Sequence, residues 1–334
     1  RAAPGEPITL QNPVPQSPRE RVVAVNGWLD EQIIGQQKLT RRLLQALVCG
    51  GHLLVEGAPG LAKTRAIKDL SLCLDGDFHR IQFTPDLLPS DVTGTEIYRP
   101  EDGSFRFQKG PIFHNLVLAD EVNRAPPKVQ SALLEAMAEH QVSVGRQTFP
   151  LPELFFVMAT QNPLEQEGTF PLPEAQLDRF LLQVDVPFPD AAAEREILRL
   201  VRGETARASA GDAGTVRPTS PSRLTSADLA AIRLELTQLH MGEPVEQYVV
   251  ALVMATRLAD PVGGRPAPAR AADGDAAPHA WLACGVSPRG TLALDLLARS
   301  EAWLDGRDYV TPDDVRAVCH DVLRHRLLLG EAAY

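Results

Sequence analysis

Five short apolar runs recur through the first 190 residues, and each gap between them is long enough to hold a helix. They are HLLVEG (52–57), FHRIQF (78–83), NLVLADE (115–121), LFFVMATQN (154–162) and FLLQVDV (180–186), rich in leucine, phenylalanine and β-branched residues. Strands covered on both faces read as such runs, and neighbouring parallel strands need a crossover between them. The pattern predicts an α/β fold, a five-stranded parallel sheet between helices, over residues 21–190.

On either side the pattern changes. Residues 1–20 are proline-rich and polar and read as a tail; RAAPGEPITLQNPVPQ carries neither an initiating methionine nor an apolar signal segment, which reads as a processed end. Residues 191–222 read as a connecting helix and flexible linker, the apolar pattern stopping at Gly203 in GETARASAGDAGTVRPTSPS. From 223 to 334 the chain reads as a small all-helical domain. SADLAAIRLELTQL (226–239), EQYVVALVMATRLA (246–259), RGTLALDLLARSEAWLDG (289–306) and TPDDVRAVCHDVLRHRL (311–327) each carry an apolar stripe. Thr311 is placed as N-cap and Pro312 at the first helical position of the last of these. A low-complexity loop, GGRPAPARAADGDAAPHA (263–280), interrupts them.

Into this frame falls GAPGLAKT, Gly57 to Thr64, which leaves the first strand and opens a helix. It is the phosphate-loop pattern G-x-x-x-x-G-K-[ST] with Ala62 in place of the second glycine. Its backbone N–H groups and the helix N-terminus suit phosphate, Lys63 suits the outer phosphates and the Thr64 hydroxyl suits magnesium. Ala62 is expected in a helix-compatible conformation. Alone, the motif could equally be an ordinary turn.

The third run weighs against that reading. NLVLADE delivers Asp120 and Glu121 to a strand's C-terminal end, where unpaired burial would be costly. Asp120 suits a metal and Glu121 suits an attacking water. The fourth run delivers Thr160, Gln161 and Asn162, and the amide of Asn162 could orient that water or merely cap the turn before Pro163. Arg179 closes EAQLDRF and Arg289 lies in SPRG; a lone arginine is normally surface, but arginine also partners developing phosphate charge.

In that order, the set resembles the AAA+ ATPases. More narrowly, ADEVNRAPPKVQSALLEAMAEHQVSVG (119–145) and ATQNPLEQEGTFPLPEAQLDRF (159–180) resemble the MoxR family, in which the GxPGxAKT loop is common. Residues 84–110 resemble the insertion of the helix-two-insert branch, and QVSVGRQTFPLP (141–152) resembles the hairpin before the sensor strand. The resemblance implies a P-loop AAA+ core followed by a helical lid, with nucleotide in the crevice between them. Gly57, Ala58, Pro59, Gly60, Leu61, Ala62, Lys63 and Thr64 would hold ATP, with Ile34 and Gly35 of IIGQQ near the base. Thr64 and Asp120 would organise Mg2+, Glu121 would position water, and Asn162 would be the first sensor. Arg179 would act as an arginine finger in a neighbouring subunit's site, Arg289 as the second sensor from the lid, and Arg124 as a weaker candidate for an intersubunit contact.

A finger supplied in trans implies a homo-oligomeric ring, expected as a hexamer. The family implies chaperone-like remodelling, assembly or activation of protein clients, often with a partner bearing a von Willebrand factor A domain. The final GEAAY stops short of the family's expected last helix, and the 203–222 and 263–280 loops carry no motif. Three other classes share the ATP site: a motor for metal or cofactor insertion, a nucleic-acid-stimulated motor, and a nucleotide-gated scaffold. The formal net charge of −10 and the absence of a basic run argue against nucleic acid. Lys63, Asp120 and Glu121, all present, argue against a silent scaffold. No apolar run approaches the roughly 20 residues of a membrane span. Cys49, Cys73, Cys284 and Cys319 lie far apart without a Cys-x-x-Cys pair, as expected of reduced thiols in a cytoplasmic protein.

Overall fold

The computed structural model describes residues 17–58, 60–101, 103–145, 147–163, 168–209, 222–257 and 282–329. Helix α1 (Pro18–Gln32) begins inside the expected tail because Ser17 and Glu20 form a reciprocal capping box: Ser17 N–H donates to Glu20 Oε2 (2.8 Å) and Glu20 N–H to Ser17 Oγ (3.2 Å). Then come α2 (Gln37–Val48), β1 (Leu53–Glu56), α3 (Lys63–Leu72) and β2 (Phe78–Gln82). The insertion folds as α4 (Pro89–Thr93) and an antiparallel hairpin of β3 (Gly94–Arg99) and β4 (Ser104–Lys109). β5 (Leu116–Asp120) and α5 (Pro127–Glu139) lead to a second hairpin, β6 (Gln141–Val144) and β7 (Gln147–Pro150), and Phe107 stacks on Phe149 at 4.0 Å to join the two hairpins. β8 (Phe156–Gln161), α6 (Glu174–Leu177), β9 (Leu182–Asp185) and α7 (Ala191–Ser209) complete this part.

The five expected strands form one parallel sheet in the order β2-β5-β8-β1-β9. Since all run the same way, the segments after β1, β5 and β8 emerge at one edge, where ligands bind in such sheets. Alternate residues feed two apolar layers. Leu53, Val55, Leu118, Met158 and Val184 face α1, α2 and α3, while Leu54, Val117, Ala119 and Val157 face α5.

The helical part holds α8 (Ser226–Gln238), α9 (Glu243–Arg257), α10 (Pro288–Leu304) and α11 (Pro312–Leu323), plus a short antiparallel ladder of β10 (Leu282–Cys284) with β11 (Leu328–Leu329). Pro312 opens α11 as expected, with Thr311 N–H donating to Asp314 Oδ2 at 2.7 Å. Its apolar residues do not form a separate core: Ile232, Leu294, Leu297 and Trp303 join the layer of α1, α2 and α3. A buried guanidinium marks that junction. Arg42 of α2 donates to Glu301 Oε2 (2.8 Å), Asp321 Oδ2 (2.9 Å) and Gln45 Oε1 (2.6 Å).

The helix expected to stop near Gly203 instead runs to Ser209, since one glycine costs only about 1 kcal/mol in a helix. Residues 210–221 of that loop and the 263–280 loop lie outside the described residues, as do the first sixteen residues, Pro59 and the final GEAAY.

Two histidines are buried in neutral form. His52, before β1, accepts from Val157 N–H at Nδ1 (3.1 Å), so its Nε2 carries the proton and faces Met137 O (3.3 Å). Burial lowers its pKa to about 4, and burial next to Arg326 lowers that of His325 to about 3. In the unfolded chain both would titrate near 6.5. As pH falls below that value the unfolded state takes up protons that the fold refuses. Stability should therefore rise with pH between about 4 and 6.5 and level off above. Urea midpoints measured from pH 4 to 8 test this; a flat profile below 6.5 would exclude it.

Candidate nucleotide-binding site

The phosphate loop leaves β1 after Glu56. Gly57 N–H donates to Gln161 O of β8 (3.3 Å), and a Cβ at Gly57 would lie 2.9 Å from Val186 O, so only glycine lets β1, β8 and β9 close there. Gly60 has φ 84°, and Ala58 and Leu61 are buried. Ala62 does not take the helix-compatible conformation expected of it. Its φ of 57° is left-handed, the region for which glycine is the usual choice, and α3 starts at the next residue. The alanine therefore stores strain where the phosphates would sit.

Lys63 is 8% exposed and donates from Nζ to Gly57 O at 2.7 Å. Burial lowers its pKa, opposed in turn by the charges of Asp120, Glu121 and Glu56. Thr64 follows, half-buried, as the second residue of α3.

Asp120 ends β5, and one hydroxyl organises it. Thr160 Oγ1 donates to Asp120 Oδ1 (2.6 Å) and accepts from Glu121 N–H (2.9 Å), locking both acidic positions to β8. Arg80 of β2 takes the other oxygen, Nη2 to Oδ2 at 2.6 Å. Glu121 is left-handed at φ 57°, and its Oε2 accepts from Gln82 Nε2 (2.8 Å) and Arg124 Nη1 (3.2 Å). Neither bond uses Oε1. Asn162, 4% exposed, lines a cavity of about 300 Å³ with Glu56, Gln161, Asn123 and Thr169. Glu56 at its wall has a raised pKa, from burial first and Asp185 second.

Ile34 and Gly35 stand in the turn between α1 and α2. Gly35 has φ 77°, and Gln36 Nε2 beside it donates to Pro187 O (3.0 Å). The segment that crowds Gly57 at Val186 thus also holds the Ile34–Gly35 turn, so the structure brings that turn and the phosphate loop together. Of the helical part, Arg324 reaches this rim by pairing with Asp185, the register partner of Glu56.

Arg179 and Arg289 are grouped elsewhere. Arg179 lies three residues before the first rung of the β1–β9 ladder, Leu53 with Leu182, whereas the phosphate loop follows the last. Asp178 beside it is taken by Arg326 (2.9 Å) and by the hydroxyl of Ser287 (2.8 Å), which also caps α10, the helix whose second residue is Arg289. Among the described residues neither arginine has an ion pair, and Arg179 Nε is buried without a hydrogen-bond partner. Arg124, weighed as an intersubunit contact, pairs within its own chain with Glu121.

Arg80 and Gln82 escaped the sequence reading. Both lie in FHRIQF at alternate positions, the one available signal, but nothing in the sequence says that β2 neighbours β5.

The donors fit magnesium, which keeps several waters and takes one or two protein oxygens together with phosphates. A Thr64 hydroxyl and an Asp120 carboxylate supply that set. No cluster of three or more His, Cys, Asp or Glu suited to a protein-only metal cage occurs among the described residues.

Fold and site together define a P-loop ATPase architecture of the AAA+ class with a helical lid. Residues 52–182 match the ATPase family associated with various cellular activities (AAA), and residues 275–333 match the AAA lid domain. The chain is 44% identical over 297 residues to Chaperone MoxR1 of Mycobacterium tuberculosis, covering 89% of this chain and 73% of that protein. It is 34% identical over 321 residues to Protein MoxR of Paracoccus denitrificans, covering 94% and 89%. A crystal structure from Cytophaga hutchinsonii of a protein classed as an ATPase superposes with a TM-score of 0.79 at 41% identity, covering 95% of this chain and 89% of that one. The chain belongs to the MoxR family of AAA+ ATPases.

Two substitutions probe the geometry. Ala62→Gly should relieve left-handed strain and stabilise the fold by about 1 kcal/mol. Thr160→Val, close to isosteric, should destabilise it by roughly 1–3 kcal/mol by stranding the Glu121 N–H and an Asp120 oxygen. Denaturant midpoints report both; an Ala62→Gly chain less stable than the parent would refute the strain.

Proposed function

We propose that this chain hydrolyses ATP in a ring of identical subunits, using the cycle to remodel, assemble or activate other proteins. The observation that carries the reading is the clamp of Thr160 on Asp120 and Glu121, one strand away from the buried Lys63. A clamp of two acids and a lysine at one sheet edge has no structural need, since every charge there must be compensated.

The residues divide the work as follows. Backbone N–H groups from Gly60 to Thr64, at the start of α3, face the phosphates, and Lys63 balances their outer charge. Bound Mg2+, held by Thr64 and Asp120, would neutralise charge on the β- and γ-phosphate oxygens. Glu121 orients a water through Oε1 and accepts its proton as the oxygen bonds to phosphorus and the bond to ADP breaks. Asn162, neutral and buried, holds the water against the terminal phosphate without adding charge. Pro59, outside the described residues, belongs to the same loop by its place in the motif.

Arg179 fits no role in its own pocket. Its guanidinium, unpaired among the described residues, suits the phosphate charge of an adjacent subunit, and Arg289 beside it suits a sensor of the same nucleotide. A site completed by its neighbour requires assembly, for which a hexameric ring is the reading. Chaperone-like work on a protein client is supported by the relative named a chaperone, and a partner with a von Willebrand factor A domain is part of the same proposal. No helix among the described residues is long and apolar enough to cross a membrane; a cytoplasmic location is part of the proposal.

Lys63→Ala should abolish ATP binding, and Glu121→Gln should preserve binding while suppressing turnover. Nucleotide binding and phosphate release on the same preparations test this, and normal turnover by the glutamine variant removes Glu121 from its role. Arg179→Ala and Lys63→Ala should each be inactive, whereas mixed rings should regain turnover where an intact pocket meets an intact finger. Such a finger contributes roughly 10³–10⁵ in rate. Full activity of Arg179→Ala alone would reject the shared site.

A further inference from the structure

Arg326 follows α11 in the helical lid, only 9% exposed, and its guanidinium is spent almost wholly on one loop of the sheet domain. Nε donates to Asp178 Oδ1 (2.9 Å), Nη1 to Leu181 O (3.1 Å), and Nη2 to Phe180 O (2.6 Å), with a longer contact to Asp178 O (3.5 Å). The remaining N–H goes to Val322 O of α11, the helix just before it (2.5 Å). His325 adds a bond from Nε2 to Phe180 O (3.2 Å), and Ser287 holds the other Asp178 oxygen (2.8 Å). Gly290 lets this junction close: a Cβ there would meet Val286 Cγ1 at 2.1 Å first and the Arg326 stem, at Cδ, at 3.2 Å. The pinned positions, 178, 180 and 181, surround a residue the lid leaves alone, Arg179.

Burying a guanidinium is costly, and the cost is offset only when its N–H groups are all satisfied in good geometry. Here the guanidinium fixes two things. The backbone on both sides of Arg179 is held, so the side chain projects from a rigid base. Asp178, the carboxylate adjacent in sequence, is occupied by Arg326 and cannot capture Arg179 in a local ion pair.

We propose that Arg326 is the positioning residue for Arg179: the lid, through Arg326 with Ser287, holds the 178–181 loop so that the Arg179 guanidinium is presented to the neighbouring subunit's nucleotide. This rests on the reading that Arg179 acts in trans. Each lid then governs hydrolysis in the adjacent pocket through the loop it grips.

Mixed rings test this, because the pockets that turn over belong to chains with Arg326 intact. In the reference mix, Lys63→Ala chains supply fingers to Arg179→Ala chains. In the second mix, the finger donors carry Lys63→Ala and Arg326→Gln together. Donor folding is checked by circular dichroism, and entry into rings by mass. The expected result is recovery in the reference mix and, in the second, turnover lower by about 10²-fold, the effect of ångström-scale misplacement, at unchanged KM for ATP. Donors carrying Arg326→Lys, which keeps the charge and part of the contacts, should recover part of the loss. If Arg326→Gln does not fold, Ser287→Ala, which removes one bond to Asp178, serves in its place with a smaller fall. Equal recovery in both mixes would overturn the role of Arg326 while leaving Arg179 in trans. No recovery in a reference mix shown to contain both chains would overturn the reading of Arg179 itself, and this inference with it.

Discussion

The arrangement depends on where the lid is fastened, and a buried guanidinium fastens it. Arg42, on the helix after the Ile34–Gly35 turn, sits between Glu301 of α10 and Asp321 of α11, with Gln45 completing the network against Ser300. Removing one member of a buried pair typically costs about 3–5 kcal/mol, because the other charge is left in a poor dielectric. Surface pairs, among them Arg41 with Asp305, surround it and contribute less. Docked there, the lid shares an apolar layer with α1, α2 and α3 and extends along β9, so its last residues flank that edge strand.

This placement divides the functional groups. The phosphate loop, the Asp120–Glu121 pair and Asn162 gather at the C-terminal ends of β1, β5 and β8, as the parallel sheet requires. Arg179 and Arg289 gather where the lid meets the loop before β9. One chain therefore carries the phosphate loop and its acids at one end of the sheet and, separately, two arginines where the lid meets the loop before β9.

Much of this was legible from residues. The five apolar runs correspond to the five strands, and GAPGLAKT, NLVLADE and ATQN stand at the strand ends where their chemistry put them. What escaped depended on contacts between elements distant in sequence. Arg80 and Gln82 meet Asp120 and Glu121 only because β2 pairs with β5, a neighbour relation that no local pattern encodes. Arg42 reads in QKLTRRLLQALV as one more charge on an amphipathic helix, and Arg326 in DVLRHRL as a basic helix end favoured by the dipole. Their burial is decided by the lid's docking. The start of α1 is a different miss: the S-x-x-E signal of its capping box was present but hidden by the proline-rich composition around it. Ala62 was misjudged because sequence shows which residue is tolerated, not the backbone angle it is forced to adopt.

That alanine has a consequence for binding. A glycine in the same place would let the empty loop sample many shapes, and each would have to be surrendered when an anion arrives. The methyl group removes most of them beforehand, at the cost of an uncomfortable angle in the folded chain. The strain at this residue is met by the contacts that hold the loop in the folded chain. A single carbon atom shifts the balance between how firmly the protein stands and how readily its loop is occupied.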